Sequence, residues 1–381
     1  MALTLSPPPL PRHFHETIAR PPRIGKEAMK LIIWERKIRI RVFAFFLLIL
    51  PVLNSFNSKE SLASEAVSQS NGVLDAEQVT ERVAVTVNGL SINLVLQGAN
   101  IVTLKEEIIH VTKASFDYYI KLFGSLPEQT MGEKFTHLTI EVSQSEEWNG
   151  EAYAKRLELT FNPKPDSFDQ FRWKGIVAHE IFHLWNSKSF RYSSEREQWF
   201  NEGVSQYYAL KALKQMNAID EEWFFWALGK FLQLYFADKG TGRQSMREAG
   251  LDKKQHTGLV EGGGLWIGLC LDAMVRNATK NEKSLDDLMQ ILFKKYNSTN
   301  KRYDLKEIKK IARQLTSGAN DDFFEKYVDG TERLPVVQYL SNAGLVLEMN
   351  SDSSQIEIRK KNNLTELEQR ALSGILGNLN E

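Results

Sequence analysis

Apolar and polar positions follow two different periods along the chain. In Arg82-Val-Ala-Val-Thr-Val87 and Ser91-Ile-Asn-Leu-Val-Leu96 they largely alternate, and Asn88-Gly89 separates the two runs. Alternation puts successive side chains on opposite faces of a strand, and Asn-Gly tolerates the positive φ angles of a tight turn, so a β-hairpin is predicted. Ile108, Val111, Phe116, Tyr119, Ile120 and Phe123 then recur at roughly helical spacing and stop at Gly124, which predicts a glycine-ended helix. Further strands are expected over 135–142 and 153–161. From Asp169 onward nearly everything reads as helix, with N-terminal capping patterns at Ser284–Asp287 and Asp304–Glu307. The aromatic run Trp223, Phe224, Trp226, Phe231, Tyr235 and Phe236 has the spacing of a helix packed in a core rather than of a ligand surface. Leu345–Met349, Ile356–Ile358 and a helix-like stretch from Leu364 to Leu376 close the chain. A small β-containing part followed by a helical part defines the α+β class, without internal repeats.

The N-terminus has a different character. Basic Lys30–Arg41 precedes the uncharged run Val42–Leu53, too short for the ~20 apolar residues of a spanning helix but suited to a signal peptide. Ser61-Leu62-Ala63 offers a cleavage site, which predicts export to the periplasm or cell envelope; the alternative is an uncleaved anchor through residues 42–53. Residues 1–28 hold six of the eleven prolines and predict no packed element, whereas Met29-Lys30 has the form of an ordinary signal-peptide start. Signal or anchor is thus expected over 29–63, and a linker with a truncated β region over 64–100.

With 42% hydrophobic and 25% charged residues, the composition excludes disordered, collagen-like and polytopic membrane classes. The formal charge of zero conceals an asymmetry, because residues 1–41 carry +6 and the remainder −6. That remainder lacks the basic field needed for binding a phosphate backbone, so nucleic acid is not expected as a partner. The single cysteine, Cys270, lies in an apolar run and is expected in the core.

Chemistry enters with His179-Glu180-Ile181-Phe182-His183, an H-E-x-x-H motif within an apolar helical segment. Residues four apart share a helix face, so both imidazoles reach one Zn²⁺ while Glu180 flanks them as a general base. A catalytic zinc needs a third protein ligand. Asn186 and Ser189 stand where the metzincin pattern requires Gly and His, which removes that class. Glu202, in Trp199-Phe-Asn-Glu-Gly203, follows His183 after eighteen intervening residues and completes a His₂Glu set. His110, His137 and His256 lie in no supporting pattern. Gln206, one turn beyond Glu202, either orients a ligand or is a surface glutamine.

His179-Glu-Ile-Phe-His-Leu-Trp-Asn186 and Trp199-Phe-Asn-Glu-Gly-Val-Ser-Gln-Tyr-Tyr208 resemble the glycyl aminopeptidase family of gluzincin metallopeptidases, with Leu271-Asp272, Ser284-Leu-Asp-Asp287 and Leu334–Leu345 also matching. The resemblance covers roughly residues 101–345. It implies a thermolysin-like catalytic domain over 101–216 and a mainly helical domain over 217–334, followed by a short extension over 335–381. It also implies one zinc per chain on His179, His183 and Glu202, Glu180 as general base, and peptide or protein substrates.

Four departures from the family pattern qualify this. The family's N-terminal β-domain is largely missing, and the 47 residues after Leu334 are too few for its PDZ domain. The Gly-Gly-x-Glu-His element that reads a peptide's free amine corresponds to Asn149-Gly150-Glu151-Ala152-Tyr153, with the carboxylate displaced by one position, so aminopeptidase and endopeptidase readings both stand. The oxyanion tyrosine of the family's Tyr-x-x-Gly element corresponds to Glu261. Either Glu261 is protonated beside the metal, or Tyr207 or Tyr208 supplies the donor, or hydrolysis is slow or absent and the protein is a binding member of the envelope; Glu261 also reads simply as part of the loop ending at Gly262-Gly263-Gly264.

Overall fold

The computed structural model describes residues 79–128, 135–297, 299–318, 322–350 and 355–379. The expected leader, signal or anchor, cleavage site and linker before residue 79 lie outside the described residues.

β1 (Thr80–Val87) and β2 (Leu90–Gln97) form the hairpin, with Asn88 at φ 48° and Gly89 at φ 84° in its turn. After α1 (Lys105–Phe123), which ends at Gly124 in the left-handed conformation, come β3 (His137–Gln144), β4 (Asn149–Ala152) and β5 (Arg156–Phe161). They make one five-stranded sheet in the order β1-β2-β3-β5-β4. β2, β3 and β5 are parallel neighbours, and the two outer strands run antiparallel to theirs. The hairpin is therefore an integral part of the sheet that carries β4 and β5. The strand expected over 153–161 begins only at Arg156. The Tyr153 amide donates to the Arg156 carbonyl (2.7 Å), closing a turn that folds 149–152 back as an edge strand.

α2 (Ser167–His183) begins at Asp166, whose side chain accepts from the Phe168 and Asp169 amides. Its C-terminal half is buried from Val177 to His183, and it runs into a widened π-helical turn, Leu184–Ser189. β6 (Arg191–Tyr192) follows, and a second π-helical turn, Trp199–Gly203, leads into α3 (Val204–Gln215). α4 (Glu221–Ala237) is succeeded by a third such turn, Gly258–Gly263, which opens α5 (Gly264–Ala278). α6 (Leu285–Tyr296), β7 (Arg302–Tyr303, paired with β6) and α7 (Leu305–Thr316) continue the helical part. The hairpin β8 (Leu345–Met349) and β9 (Ile356–Lys360) precedes α8 (Glu366–Ile375). The capping patterns are present at Ser284, in a capping box with Asp287, and at Asp304.

Aromatic packing fixes α2. The Phe182 ring stacks on Tyr208 of α3 (4.8 Å between centroids), and the Tyr119 hydroxyl of α1 donates to the Ala178 carbonyl (3.0 Å) immediately before His179. Of the aromatic run, Phe224 and Tyr235 are buried, while Trp223 and Trp226 pack on Phe171. Gly258–Ala278 has the length and apolarity of a membrane span but is almost wholly buried inside the protein, with Cys270 fully enclosed.

Two helices approach backbone to backbone where the second π-helical turn meets the start of α5. A methyl at Gly264 would lie 2.0 Å from the Trp199 carbonyl oxygen, and one at Gly203 would lie 2.3 Å from the Gly264 backbone. Backbone has nowhere to retreat. Gly264→Ala is predicted to destabilise the fold by about 2 kcal/mol or more through overpacking. Gly175→Ala, where the nearest atom outside its own helix is 4.0 Å away in mid α2, should instead stabilise it by about 0.5–1 kcal/mol. Urea-unfolding midpoints of the two variants check both signs.

Candidate functional site

α2 and the turn before α3 bring three donor atoms together. Nε2 of His179 and Nε2 of His183 stand 2.8 Å apart, and Oε2 of Glu202 lies 3.3 Å from the first and 3.4 Å from the second. Ligands ~2.1 Å from a tetrahedral zinc are ~3.4 Å from one another, so the two imidazole–carboxylate spacings fit a zinc centre and the imidazole pair is somewhat tighter. Donor atoms of His179, Glu180 and His183 also fall within 4.8 Å of one another, so two carboxylates border the imidazoles. Glu202, with an oxygen beside both nitrogens, suits the ligand role, which leaves Glu180 free for proton transfer.

The supporting contacts fix which atoms face the centre. Ser205 donates its hydroxyl to the Asn201 carbonyl (2.5 Å), and its Oγ lies 3.5 Å from His183 Nδ1, so a proton on Nδ1 would meet an acceptor and leave Nε2 for the centre. Nδ1 of His179 is buried without a hydrogen-bond partner among the described residues. Asn186, just past the motif, donates from Nδ2 to the Asn201 carbonyl (3.0 Å) and to Ser205 Oγ (3.2 Å), tying the end of α2 to the turn that carries Glu202.

Burial and charge set the protonation states. Burial pushes Glu180 up to about 7, with Glu202 and Glu151 adding and the nearby His179 and Lys253 opposing. Burial, then His179, hold His183 down at about 4, ready to act as a neutral ligand. For His179 burial is outweighed by the contact with Glu202 and the charges of Glu180, Glu202 and Glu261, which together raise it. Burial alone would raise Glu202, yet Lys253 and the two histidines hold it well below the usual carboxylate range. Glu261 is raised, chiefly by burial.

Gly150 closes the other side. A methyl on it would fall 2.6 Å from Glu180 Cγ and 2.7 Å from Oε1, so β4 lies directly over the base. Successive strand residues point to opposite faces, so the exposed Glu151 side chain leaves β4 on the side away from Glu180. Glu261 is buried in the third π-helical turn and accepts from Gln206 Nε2 (3.3 Å), which accounts for that glutamine without contact to a metal ligand. Tyr207 and Tyr208 correct an expectation. Both are fully buried, with hydroxyls donating to Asp272 (2.8 Å) and Asp286 (2.6 Å), where Lys211 and Arg276 complete an ionic network among α3, α5 and α6. Those hydroxyls are committed to the core and are not free donors for an oxyanion. His110 and His137 are exposed and His256 pairs with Asp238, so among the described residues no further histidine joins the centre.

Sequence reasoning did not single out Lys253, whose Nζ lies 2.9 Å from Glu202 Oε1, nor the structural parts played by Gly150 and Asn186. Lys253 belongs to no local pattern, and the parts played by Gly150 and Asn186 depend on contacts with residues distant in sequence.

Residues 172–287 match the family model described as M61 glycyl aminopeptidase, a segment that includes every side chain of the centre. No curated protein matches the sequence. Among solved structures, the fold is similar to an aminopeptidase N family protein from Idiomarina loihiensis, with a TM-score of 0.61 and 19% identity over 71% of this chain and 50% of that one. An M1 zinc metallopeptidase from Deinococcus radiodurans aligns with a TM-score of 0.46 and 13% identity, over 68% of this chain and 53% of that one. The chain thus spans about half the length of the solved structures it matches. The family match over the segment that holds the centre supports a zinc metallopeptidase, and the aminopeptidase N family structure shows the shared fold.

In metal-free protein, Glu180 should be protonated below about pH 7 and ionised above it, because burial disfavours the charge. Difference infrared spectroscopy should show a protonated carboxyl band that fades through that pH in the wild type and is absent from Glu180→Gln. Gly150→Ala, by forcing the carboxylate out from under β4, should lower the midpoint toward the ordinary glutamate range.

Proposed function

We propose that the chain is an exported zinc metallopeptidase, with residues 101–216 forming a thermolysin-like catalytic domain and 217–334 a helical domain. The observation that carries this reading is the convergence of His179, His183 and Glu202 on one point, with the buried carboxylate of Glu180 beside it and under β4. His179, His183 and Glu202 would hold one zinc, which supplies Lewis acidity toward a peptide carbonyl and toward water. Glu180 accepts the proton of the attacking water and returns it to the leaving amine, and its enclosure under Gly150 keeps it aimed. The substrate is a peptide or protein; the −6 charge of the chain beyond residue 41 disfavours nucleic acid, and contact with a membrane would run only through residues 42–53.

Cleavage from the amino end would require Glu151 to take the substrate's free amine, and its side chain leaves β4 on the side away from Glu180, so aminopeptidase and endopeptidase outcomes are separated by the digestion below. A second reading, a weakly active or inactive binding protein of the envelope, is favoured by Glu261, because an acidic group stands near the ligands where related enzymes place a tyrosine donor.

Digestion of a peptide library with free and N-acetylated termini tests these readings together. An aminopeptidase cuts only free peptides and is impaired on them by Glu151→Ala, whereas equal cutting of both sets identifies an endopeptidase. Glu180→Gln should keep about one zinc per chain and lose hydrolysis by ~10²-fold or more, the usual scale of a general-base contribution. No cleavage by zinc-loaded wild type would favour the binding protein, and full activity in Glu180→Gln would remove the assignment.

A further inference from the structure

Lys253 stands on a single helical turn, Lys253–Gln255, between the short helix Met246–Gly250 and the third π-helical turn. Both ends of this connection are fixed. A methyl on Gly250 would fall 2.3 Å from the Glu195 carbonyl oxygen, so the chain is pressed against that backbone, and the Thr257 hydroxyl donates to the Lys253 carbonyl (3.2 Å). The ammonium group is thereby carried to Glu202, where Nζ donates to Oε1 at 2.9 Å. The opposite oxygen, Oε2, is the one directed at the two imidazoles.

One carboxylate thus has its two oxygens divided between two tasks. Asn201 Nδ2 also approaches Oε1, at 3.3 Å, but it shares its protons with Gln198 Oε1 at 3.4 Å and carries no charge. The Lys253 contact is the shorter one and is charge-assisted, so it dominates. An exposed ion pair contributes little to stability, yet here the Glu202 side chain is only 12% exposed beside 37% for Lys253, so the pair sits at the mouth of the centre rather than on open surface. Glu180 and Glu261 add their negative charges around the same ammonium.

We propose that Lys253 is a positioning residue for the metal centre, holding Oε1 of Glu202 so that this carboxylate offers the ion a single oxygen and a coordination position stays open for water or substrate. This rests on the zinc reading above. A carboxylate released from Lys253 is free to turn both oxygens inward, as carboxylates do on metals in mono- and bidentate modes, and that would add a fifth ligand and crowd the position a catalytic zinc keeps for water or substrate. Groups that orient ligands in this way typically change metal affinity or activity by ~10- to 100-fold when removed.

Cobalt(II) substituted for zinc reports coordination number through its visible absorption, independently of turnover. The wild type should show the intense bands of a four-coordinate ion. Lys253→Met should show the weaker bands of a five-coordinate one, bind acetohydroxamate at least ~10-fold more weakly, and keep wild-type circular dichroism. Lys253→Arg, which restores a cationic donor, should recover most of the spectrum. A Lys253→Met protein with the cobalt spectrum and acetohydroxamate affinity of the wild type would overturn the proposal, as would an Arg variant no closer to wild type than the Met variant. If the wild type takes up neither cobalt nor zinc, it is the metal-centre reading itself that fails, a result separate from either outcome for Lys253.

Discussion

The contact between Gly203 and Gly264 is the constraint on which the site depends. Two helices meet there backbone to backbone, with no room for a side chain on either residue. Glu202 directly precedes one glycine, and Glu261 lies one turn before the other. Because the two turns cannot separate without opening the core, the carboxylate of Glu202 is held at a fixed depth against the imidazoles of α2. The Asn186 amide secures the same geometry from the other side by gripping the Asn201 carbonyl and Ser205. All three π-helical turns among the described residues border this centre, at 184–189, 199–203 and 258–263. Such turns recur at functional sites because an extra residue per turn redirects side chains that a regular helix would aim elsewhere.

Electrostatics gives the centre its second property. Glu180, Glu202 and Glu261 are all largely buried and lie around the Lys253 ammonium together with two imidazoles. Their protonation tendencies diverge: Glu202 is held ionised by its partners, whereas burial raises Glu180 and Glu261. Two titratable groups pushed apart in this way can act as fixed ligand and as mobile proton carrier. The buried network of Tyr207, Tyr208, Lys211, Asp272, Arg276 and Asp286 has a different task, since its charges are paired among themselves and join α3, α5 and α6.

The parts of this arrangement that were legible in the sequence are those with a local period. Asn88-Gly89 between alternating runs specifies its hairpin, Gly124 its helix end, and the four-residue spacing of His179 and His183 their common face. Glu202 was legible through its distance from the motif, and its Oε2 lies 3.3 and 3.4 Å from the two imidazole nitrogens. What escaped is set by contacts distant in sequence. β4 is only four residues long, and its edge position arises from a turn at 153–155 that no Gly, Pro, Asn or Asp marks ahead of the alternating strand Arg156–Phe161. Lys253 lies 51 positions from Glu202 in an unremarkable polar stretch. Tyr207 fitted the sequence as a free hydroxyl donor, but the direction of its side chain is decided by Asp272, on another helix.

The central claim is that one imidazole pair and one carboxylate oxygen form the metal centre. X-ray absorption at the zinc edge of protein loaded with one equivalent of zinc tests it most directly. The account predicts two imidazole nitrogens at about 2.0–2.1 Å and light-atom ligands at about 2.0–2.2 Å, with the imidazole signal reduced to one in His183→Ala and retained as two in Glu202→Ala, whose zinc is more weakly held. A wild-type spectrum with fewer than two imidazoles, or one unchanged by His183→Ala, would contradict it.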